Sequence, residues 1–482
     1  MLLYGFMIDW HLVSVDVGAL RYFAMRLEWN NLSTYHNGFY PALPVMLVKL
    51  AGPDNWHITG LILSNLLYGL SLGLSYQVLH KLLSHRAIAL LATSVLAILP
   101  GFIAVFVSPM QDSLLVALFI MAIWALLVEE KFWLSGLLLG LMAATRYHGL
   151  LLAILFLVLF IFTSGASWKL KGKAALMMLL GMSPQVFISL TATGSPFDND
   201  QLYNVFKTFY RSEIDDAALI ELPKSIFGIM AHNPGQFWLT YLNILLSNTL
   251  YIIVPALALV KYYRSESWIW KTALLLIVYI SLSALGGSVR MYAPIGLFIV
   301  LVFAHLFKKF DFERFKHLRL VILIGLLHFL IIENILTISV HRQNSRINDR
   351  IKTVLKEQNP AVTRSQIFSS FYDYTWQDIP GLIGYGTKRA WLRHADPWFA
   401  ENFPGPDLNK GSKELWAYCE ANKIRYLILN KAKMGASLHA EIRNSTDFIP
   451  LVKMDITKPR MTFSYQIHSK KFDEVYLYEL SD

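Results

Sequence analysis

Long apolar stretches separated by short polar loops occupy the first 340 residues of the chain. Hydrocarbon offers the backbone no hydrogen-bond partner, so a run of about 20 apolar residues is typical of a helix that crosses a membrane. The pattern predicts eleven such helices, near residues 1–15, 57–79, 87–106, 112–128, 133–147, 148–165, 173–191, 237–260, 270–286, 290–307 and 318–340. We therefore expect an α-helical multi-pass membrane protein.

After Val340 the pattern changes to short segments with mixed polarity. Residues 344–358 place Ile347, Ile351, Val354 and Leu355 on one helical face, and a second helix is predicted over 412–422. Runs typical of β-strands lie at 366–371, 424–429, 448–454 and 475–480. The sequence thus predicts a transmembrane domain over 1–340, with outer loops 16–56 and 192–236, followed by a small soluble α/β domain over 341–482.

Composition and charge support a membrane protein and set its orientation. The chain is 55% hydrophobic and only 16% charged, with a net charge of +10. Most of the basic residues of the first 340 fall in five short loops that alternate along the chain, as cytoplasmic loops do. These residues are Lys81, Arg86, Lys131, Lys169, Lys171, Lys173, Lys261, Arg264, Lys271, Lys308, Lys309, Arg314, Lys316 and Arg319. The basic charge is therefore assigned to membrane topology rather than to nucleic acid, and residues 341–482 are expected outside the cytoplasm.

Four charged residues stand at predicted helix ends on the outer side: Asp16, Asp112, Arg146 and Arg290. Each has a structural alternative to a functional role. Asp16 is also suited to capping a helix, and Asp112 to the positive end of the helix dipole. Either arginine is equally suited to holding ordinary lipid headgroups at the interface. After Asp16, apolar residues including Leu20 and Ala24 recur at helical spacing, which predicts an amphipathic helix on the membrane surface.

Other reactive residue types give weaker signals. The single cysteine, Cys419, has no internal disulfide partner and is expected to be a packed side chain. His36, His57 and His148 show no spacing typical of metal ligands, so a divalent metal is possible but unsupported. The chain contains no phosphate-binding glycine loop and no G-x-S-x-G motif, which argues against nucleotide-driven transport and serine hydrolysis.

Four segments occur in a characteristic order after Asp16. They are NGFYPALPVMLVKL, SPMQDSLLVALFI, GLLLGLMAATRYHGLLL and VRMYAPIGLFIVLVF. In this order, and on one side of the membrane, they resemble the C-type (GT-C) membrane glycosyltransferases, a superfamily that includes the protein O-mannosyltransferases and the aminoarabinose transferases of lipid A. The resemblance covers nearly the whole chain, including an outer tail domain.

The resemblance implies a sugar transferase that uses a polyprenyl-phosphate sugar as donor and a hydroxyl of a lipid, glycan or protein as acceptor. It implies an integral protein of a prokaryotic plasma membrane that acts on cell-envelope glycans among membrane lipids, without nucleic acid. Asp16 matches the catalytic base of the first outer loop. Many members carry a second acid directly after this base, whereas Val17 occupies that position here. The sequence therefore does not match a mechanism with paired carboxylates or a metal ion bound by them. Asp112 matches the acid of the second outer loop, where it would contact the acceptor.

The donor phosphate calls for cations, and the resemblance assigns Arg290 and Arg146 to it, because guanidinium groups grip phosphate oxygens in pairs. Tyr40, Tyr147 and Tyr292 would line the donor groove, although interfacial tyrosines are common in any membrane protein. The alternative function is a lipid or polysaccharide transporter, flippase or polymerase. A transporter would need ionisable groups near the middle of the membrane, whereas a polymerase would need a large central outer loop with several arginines.

Overall fold

The computed structural model describes residues 20, 24, 27–29, 42–53, 56–107, 111–193, 205–206, 208–210, 223, 225–247, 249–262, 268–286, 289–309, 324–325, 328, 331, 347, 350–351, 353–362, 366–369, 411–460 and 468–481. This part of the chain is mostly helical and includes one small sheet. Two of its helical segments, Thr59–Leu83 and Trp168–Thr191, are long and apolar enough to cross a membrane. The predicted spans at 1–15 and, apart from four isolated residues, 318–340 lie outside the described residues.

The described residues divide into two compact units. The first contains 20–205 and 238–335, and the second contains 206–237 and 336–482. The predicted domain boundary at residue 340 and the predicted outer loop 192–236 stay predictions, because much of the chain around them lies outside the described residues.

The first unit is built of successive helices connected by short turns. They are α1 (Ala42–Ala51), α2 (Trp56–Leu83), α3 (Arg86–Ala97), α4 (Pro100–Val107), α5 (Gln111–Leu127), α6 (Phe132–Ala143), α7 (Tyr147–Thr163) and α8 (Trp168–Thr193). After α9 (Ile226–His232), which belongs to the second unit, follow α10 (Pro234–Ser247), α11 (Thr249–Tyr262), α12 (Trp268–Ser283) and α13 (Gly296–Lys309). Their shared core contains buried side chains of α2 to α8 and α11 to α13.

Some predicted spans are interrupted. The span predicted over 87–106 is two helices, because Pro100 lacks the N–H that would continue α3 and suits the first position of α4. The span predicted over 237–260 is likewise two helices, α10 and α11. The span predicted over 290–307 begins as a 3₁₀ segment, Val289–Ile295, which contains Pro294 and leads into α13.

Helices α6 and α8 pack with their backbones almost in contact. A Cβ added at Gly140 would lie 2.1 Å from the carbonyl oxygen of Met178, and one at Gly136 would lie 2.1 Å from that of Ala174. On α8, a Cβ at Gly181 would lie 2.4 Å from the carbonyl oxygen of Leu137. Gly136 and Gly140 form the G-x-x-x-G spacing with which apolar helices approach closely in membranes.

The ends of the helices sort into two groups. Lys81 at the end of α2 forms an ion pair with Glu130 at 3.2 Å, so the loops after α2 and α5 lie at one end of the unit. At the same end, Phe132 contacts Phe160 near the end of α7, and Lys171 donates a hydrogen bond to the carbonyl of Ile161. These contacts place the three basic loops at one end of the unit. The start of α5 lies about 25 Å away along its 17 residues.

The second unit contains a four-stranded sheet covered on both faces. Strands β1 (Ile367–Ser369), β2 (Tyr426–Asn430), β3 (Phe448–Arg460) and β4 (His468–Leu480) are ordered β1-β2-β4-β3. Strand β1 is parallel to β2, whereas β4 is antiparallel to both β2 and β3. One face packs against Ile347, Ile351, Val354 and Leu355, which confirms the predicted apolar helical face.

The opposite face of the sheet packs against α14 (Ser412–Ala421) and α15 (Lys431–Asn444). The predicted helix over 412–422 is confirmed, whereas α15 was missed. The strands predicted at 448–454 and 475–480 are present but extend to 13 residues each, because they form one long antiparallel pair. Cys419 is fully buried between α14 and the sheet, and burial raises the pKa of its thiol to about 12, as expected of a packed side chain.

Candidate functional site

Asp112 and Arg146 form a buried ion pair at the end of the first unit opposite the basic loops. Arg146 Nε lies 2.8 Å from Asp112 Oδ1, and Arg146 Nη2 donates a hydrogen bond to Asp112 Oδ2 at 3.1 Å. Only 3% of the aspartate side chain and 16% of the arginine side chain are exposed. The guanidinium therefore lies close to both carboxylate oxygens and donates a hydrogen bond to one of them, and the pair is largely shielded from solvent.

Local structure explains how these two residues meet across 34 positions of sequence. Asp112 lies in the first turn of α5, where the helix dipole favours a negative charge. Arg146 directly precedes α7 in extended conformation, after a turn closed by a hydrogen bond from the Thr145 hydroxyl to the carbonyl of Met142. A Cβ added at Gly149 would lie 2.7 Å from the Met142 carbonyl oxygen and 3.1 Å from the Leu115 side chain. This glycine lets the turn before α7 approach α5.

Gln111 is a third polar member of this cluster. With its amide oxygen turned toward the guanidinium, Gln111 accepts from Arg146 Nε at 2.8 Å and from Nη2 at 3.1 Å. The Gln111 side chain is 2% exposed. The guanidinium is thus held by one carboxylate and one amide that are adjacent in sequence, and its orientation is fixed on the side that faces the start of α5.

Tyr279 contacts the 3₁₀ segment before α13. Its hydroxyl donates a 2.7 Å hydrogen bond to the carbonyl of Met291 in that segment. The same segment packs against α5, whose first turn carries Asp112, and Phe119 of α5 contacts Phe298 of α13. Tyr292 is fully buried, and its ring centroid lies 5.5 Å from that of Tyr251. The segment that carries Arg290 and Tyr292 therefore lies at the same end of the unit as Asp112 and Arg146.

A narrow cleft opens beside Gln111. It is lined by Leu20, Pro44, Leu47, Trp56, Gly60, Leu63, Ser64, Leu67, Gln111, Ser113 and Leu114, and its volume is about 20 Å³. That volume is enough for about one water molecule. Ser64 and Ser113 lie in hydrogen-bond contact at 3.1 Å within the same cluster. The cleft is mostly apolar, but the polar groups at its floor belong to the start of α5.

The structure places some of the predicted site residues and not others. Asp112, Arg146 and Tyr292 are described at one end of the unit. Arg290 and Tyr147 are described only in their backbones, in the 3₁₀ segment and at the first position of α7. Asp16 and Tyr40 lie outside the described residues.

The sequence analysis missed the roles of Gln111, Ser113, Ser64 and Tyr279. For Gln111 and Ser113 a signal was present, because both flank Asp112 in a segment otherwise made of apolar residues. For Ser64 and Tyr279 there was none, because serine and tyrosine within an apolar helix are common.

Among the residues that the structure describes, no group of three or more histidine, cysteine, aspartate or glutamate side chains is arranged to hold a metal ion. Compared with protein-family models, with curated proteins and with solved structures, the chain matches none of them. The chemistry of the site must therefore be argued from its own residues.

Proposed function

We propose that this protein is a membrane glycosyltransferase that moves a sugar from a polyprenyl-phosphate donor to an acceptor hydroxyl on the extracytoplasmic side. The observation that carries the proposal is the buried Asp112–Arg146 ion pair at one end of the helical unit. Asp112 and Arg146 were both assigned to this site by the motif order in the sequence. Their direct contact supports the view that the two motifs belong to one site.

The difference between the two ends of the unit supports the proposed sidedness. Lys81, Lys131 and Lys171 lie at one end, as cytoplasmic basic loops do. Asp112 and Arg146 lie at the other end, about 25 Å away along α5, a distance close to the thickness of a bilayer core. Lipid-linked sugars present their phosphate and sugar at such an interface, so the proposed substrate would meet the ion pair at its own depth.

The proposed reaction needs a base and a stabilised leaving group. The base takes the proton of the acceptor hydroxyl while its oxygen forms a bond to the anomeric carbon. The bond between that carbon and the phosphate oxygen breaks, and the polyprenyl phosphate leaves as an anion. A fixed cation near that anion stabilises the developing charge without having to reorganise during the reaction.

In the proposal, Asp16 is the base, Arg290 and Arg146 bind the donor phosphate, and Tyr40, Tyr147 and Tyr292 line the donor groove. Asp112 would contact the acceptor and also hold the guanidinium of Arg146 in one orientation.

The position of buried charge favours this proposal over a transporter. A transporter of ions or charged solutes commonly carries ionisable groups near the middle of the membrane. In the described part of the first unit, the buried charged side chains are Asp112 and Lys171, and both lie within the first turn of a helix. This pattern supports a site at the membrane interface.

The decisive experiment supplies the purified protein with labelled polyprenyl-phosphate sugars and, separately, with nucleotide sugars. We expect transfer only from the lipid-linked donor. Turnover with nucleotide sugars alone would reject the proposal, and flux of the intact lipid across vesicles without transfer would favour the flippase alternative.

Variants at the proposed base and phosphate ligand separate the two roles. Asp16→Asn is expected to abolish transfer but to leave binding of the polyprenyl phosphate product intact, because an amide keeps the shape without accepting a proton. Arg290→Ala is expected to weaken both binding and turnover, and Arg290→Lys to recover part of the loss, since lysine has the charge but not the fork. Glu130→Gln, at the opposite end of the unit, is the matched control. Near-normal turnover of the Asp16→Asn variant would show that Asp16 is not the catalytic base.

A further inference from the structure

A groove in the second unit lies between helix α15 and strand β3. Its volume is about 370 Å³, within the range of pockets that hold small ligands. Side chains of α15 line one wall, and those of β3 and β4 line the other wall and the floor. These residues are His439, Ile442, Arg443, Phe448, Pro450, Leu451, Val452, Lys453, Tyr476 and Tyr478.

The groove follows from the way in which α15 covers the sheet. The helix packs on β2 and β4, while β3 is the outermost strand and pairs with β4 along its whole length. A register shift between Pro450 and Val452 adds one residue to β3 at the point where the groove lies. Such a bulge bends an edge strand away from regular pairing. The result is a surface with apolar side chains at the base and polar groups along the margins.

The charged groups that line the groove are basic. Arg443 is exposed on the last turn of α15, and Lys453 stands on β3 with its Nζ 5.6 Å from the ring centroid of Tyr476. The neighbouring acid, Glu474, has a side chain that is 7% exposed. Its carboxylate forms ion pairs with Lys431 Nζ at 3.3 Å and with Lys453 Nζ at 2.8 Å. The Tyr476 hydroxyl donates a further 2.5 Å hydrogen bond to Glu474. The groove therefore presents positive charge to a ligand.

His439 adds a polar group to the wall. Burial, followed by the positive charge of Lys431, lowers the pKa of its imidazole below the ordinary value, so the ring is neutral at pH 7. Its Nε2 is buried and has no hydrogen-bond partner among the residues that the structure describes. Buried polar atoms are normally paired. A hydroxyl of a ligand in the groove would supply such a partner after a small rotation of the ring.

We propose that this groove binds an anionic monosaccharide unit, with its phosphate or carboxylate between Arg443 and Lys453 and its ring on the apolar floor. A pyranose has apolar C–H faces and a rim of hydroxyls, which match the apolar base and the polar margins of the groove. The volume of about 370 Å³ suits one or two sugar rings rather than a polymer. This binding is independent of whether the first unit transfers sugar.

A peptide added to the edge of β3 is disfavoured. Strand addition needs free backbone N–H groups along a regular edge. Strand β3 carries Pro450 and Pro459, and a second register shift lies between Ile456 and Thr457. Prolines and bulges are the features that prevent edge pairing in natural sheets.

The test is calorimetric titration of the full chain in detergent with glucose 1-phosphate, glucose and inorganic phosphate. We expect glucose 1-phosphate to bind at least about tenfold more tightly than either of the other two, because only it engages both the cations and the floor. Arg443→Gln should weaken this binding about tenfold, the loss typical of one charge-assisted hydrogen bond. Arg443→Lys should restore part of it.

Lys413→Gln, an exposed lysine on α14 that does not line the groove, is the matched control and should bind as the unchanged chain does. Hydrogen exchange of the β2 amides verifies that each variant remains folded. Equal binding of inorganic phosphate and glucose 1-phosphate would reduce the site to a simple anion site and overturn the sugar assignment. Binding unchanged by Arg443→Gln would place the ligand elsewhere. Tighter binding to phosphatidylglycerol vesicles than to glucose 1-phosphate would identify a lipid-headgroup surface instead.

Discussion

At one end of the first unit Lys81 contacts Glu130 at 3.2 Å, with 44% and 74% of the two side chains exposed. At the other end Arg146 contacts Asp112 at 2.8 Å, with 16% and 3% exposed. The two distances are similar, but the surroundings differ. Water and salt screen the first pair, and such pairs contribute about 0–1 kcal/mol. The second pair has lost most of its hydration, so its Coulomb attraction is offset by a large desolvation cost.

The difference teaches that the Asp112–Arg146 pair is not an efficient way to stabilise the bundle. Apolar side chains of similar size often stabilise a protein as well as a buried ion pair does. A pair of this kind is better explained by what it holds in place. Here it holds a guanidinium in a fixed orientation at the end of the unit to which we assign the sugar-phosphate substrate.

The largest expected effect comes from removing one partner of the buried pair. Arg146→Met leaves the Asp112 charge buried without its main partner and should destabilise the protein by about 3–5 kcal/mol. The double variant Asp112→Leu with Arg146→Met removes both charges and should recover most of that loss. Thermal and denaturant unfolding of the protein in detergent measures both. If Arg146→Met lowers the free energy of unfolding no more than Lys81→Met does, the two ends of the unit do not differ as described.

The next effect concerns α6, which connects the two ends because Lys131 precedes it and Arg146 follows it. Gly140→Ala places a Cβ against the Met178 carbonyl oxygen and should destabilise the α6–α8 contact by about 1–3 kcal/mol. Gly73→Ala on α2 is the matched control, since a Cβ there meets nothing within 4 Å. The control should be neutral or stabilising by up to about 1 kcal/mol in the same unfolding assay. Equal effects would contradict the close backbone packing.

Much of the fold could be predicted from the sequence because it depends on local periodicity. The apolar spans α2, α5 and α8, and the change of pattern after Val340, follow from spacing alone. The grouping of Lys81 with the loop of Glu130 and Lys131 at one end also agrees with the alternation of charge from loop to loop. In the second unit, α15 was missed because half of its 14 residues are polar and its apolar face is narrow, with large apolar residues only at Met434, Leu438 and Ile442.

The candidate site could be predicted only in part because its geometry is non-local. The motif order singled out Asp112 and Arg146 separately, but nothing in one sequence shows that residues 34 apart form a buried ion pair. The close approach of Gly136 and Gly140 to α8 has the same origin, since it depends on which helix lies opposite. Proline chemistry predicts the helix breaks at Pro100 and Pro294. The surrounding residues are uniformly apolar, however, and this pattern predicts one continuous helix at each place.

Glu441 in the second unit is intermediate between the two ion pairs. Its side chain is exposed, as in the Lys81–Glu130 pair, but it has a defined backbone partner. It accepts a 2.8 Å hydrogen bond from the Ser412 N–H at the start of α14, which lowers the pKa of its carboxyl below the ordinary value. Because the pKa of the carboxyl is lowered in the folded protein, the ionised carboxylate stabilises the fold. This contribution is complete above the unfolded pKa of about 4.3 and is lost as the pH falls below it.

Glu441→Gln should therefore speed hydrogen exchange in α14 at pH 7 by a modest factor, equivalent to less than about 1 kcal/mol because the side chain is exposed. The difference from the unchanged chain should shrink as the pH falls below about 4.3, because protonation removes the charge that the hydrogen bond stabilises. Glu420→Gln, an exposed glutamate on α14 itself, is the control. A Glu441→Gln effect that persists unchanged at pH 3 would show that the carboxylate charge is not its cause.

The smallest effect is expected at the exposed end of the first unit. Lys81→Met removes the pair with Glu130 and a 3.3 Å hydrogen bond to the carbonyl of Val128, but water can solvate both acceptors. The loss should therefore be below about 1 kcal/mol and should shrink further as salt is raised to 1 M, where the screening length is about 3 Å. The Arg146→Met loss should change little with salt, because few ions reach a side chain that is 16% exposed. Unfolding measured at low and high salt thus separates the two ends by screening as well as by size. Similar salt dependence at both ends would mean that solvent reaches the Asp112–Arg146 pair, and the guanidinium would then lack the fixed, desolvated setting on which its proposed role depends.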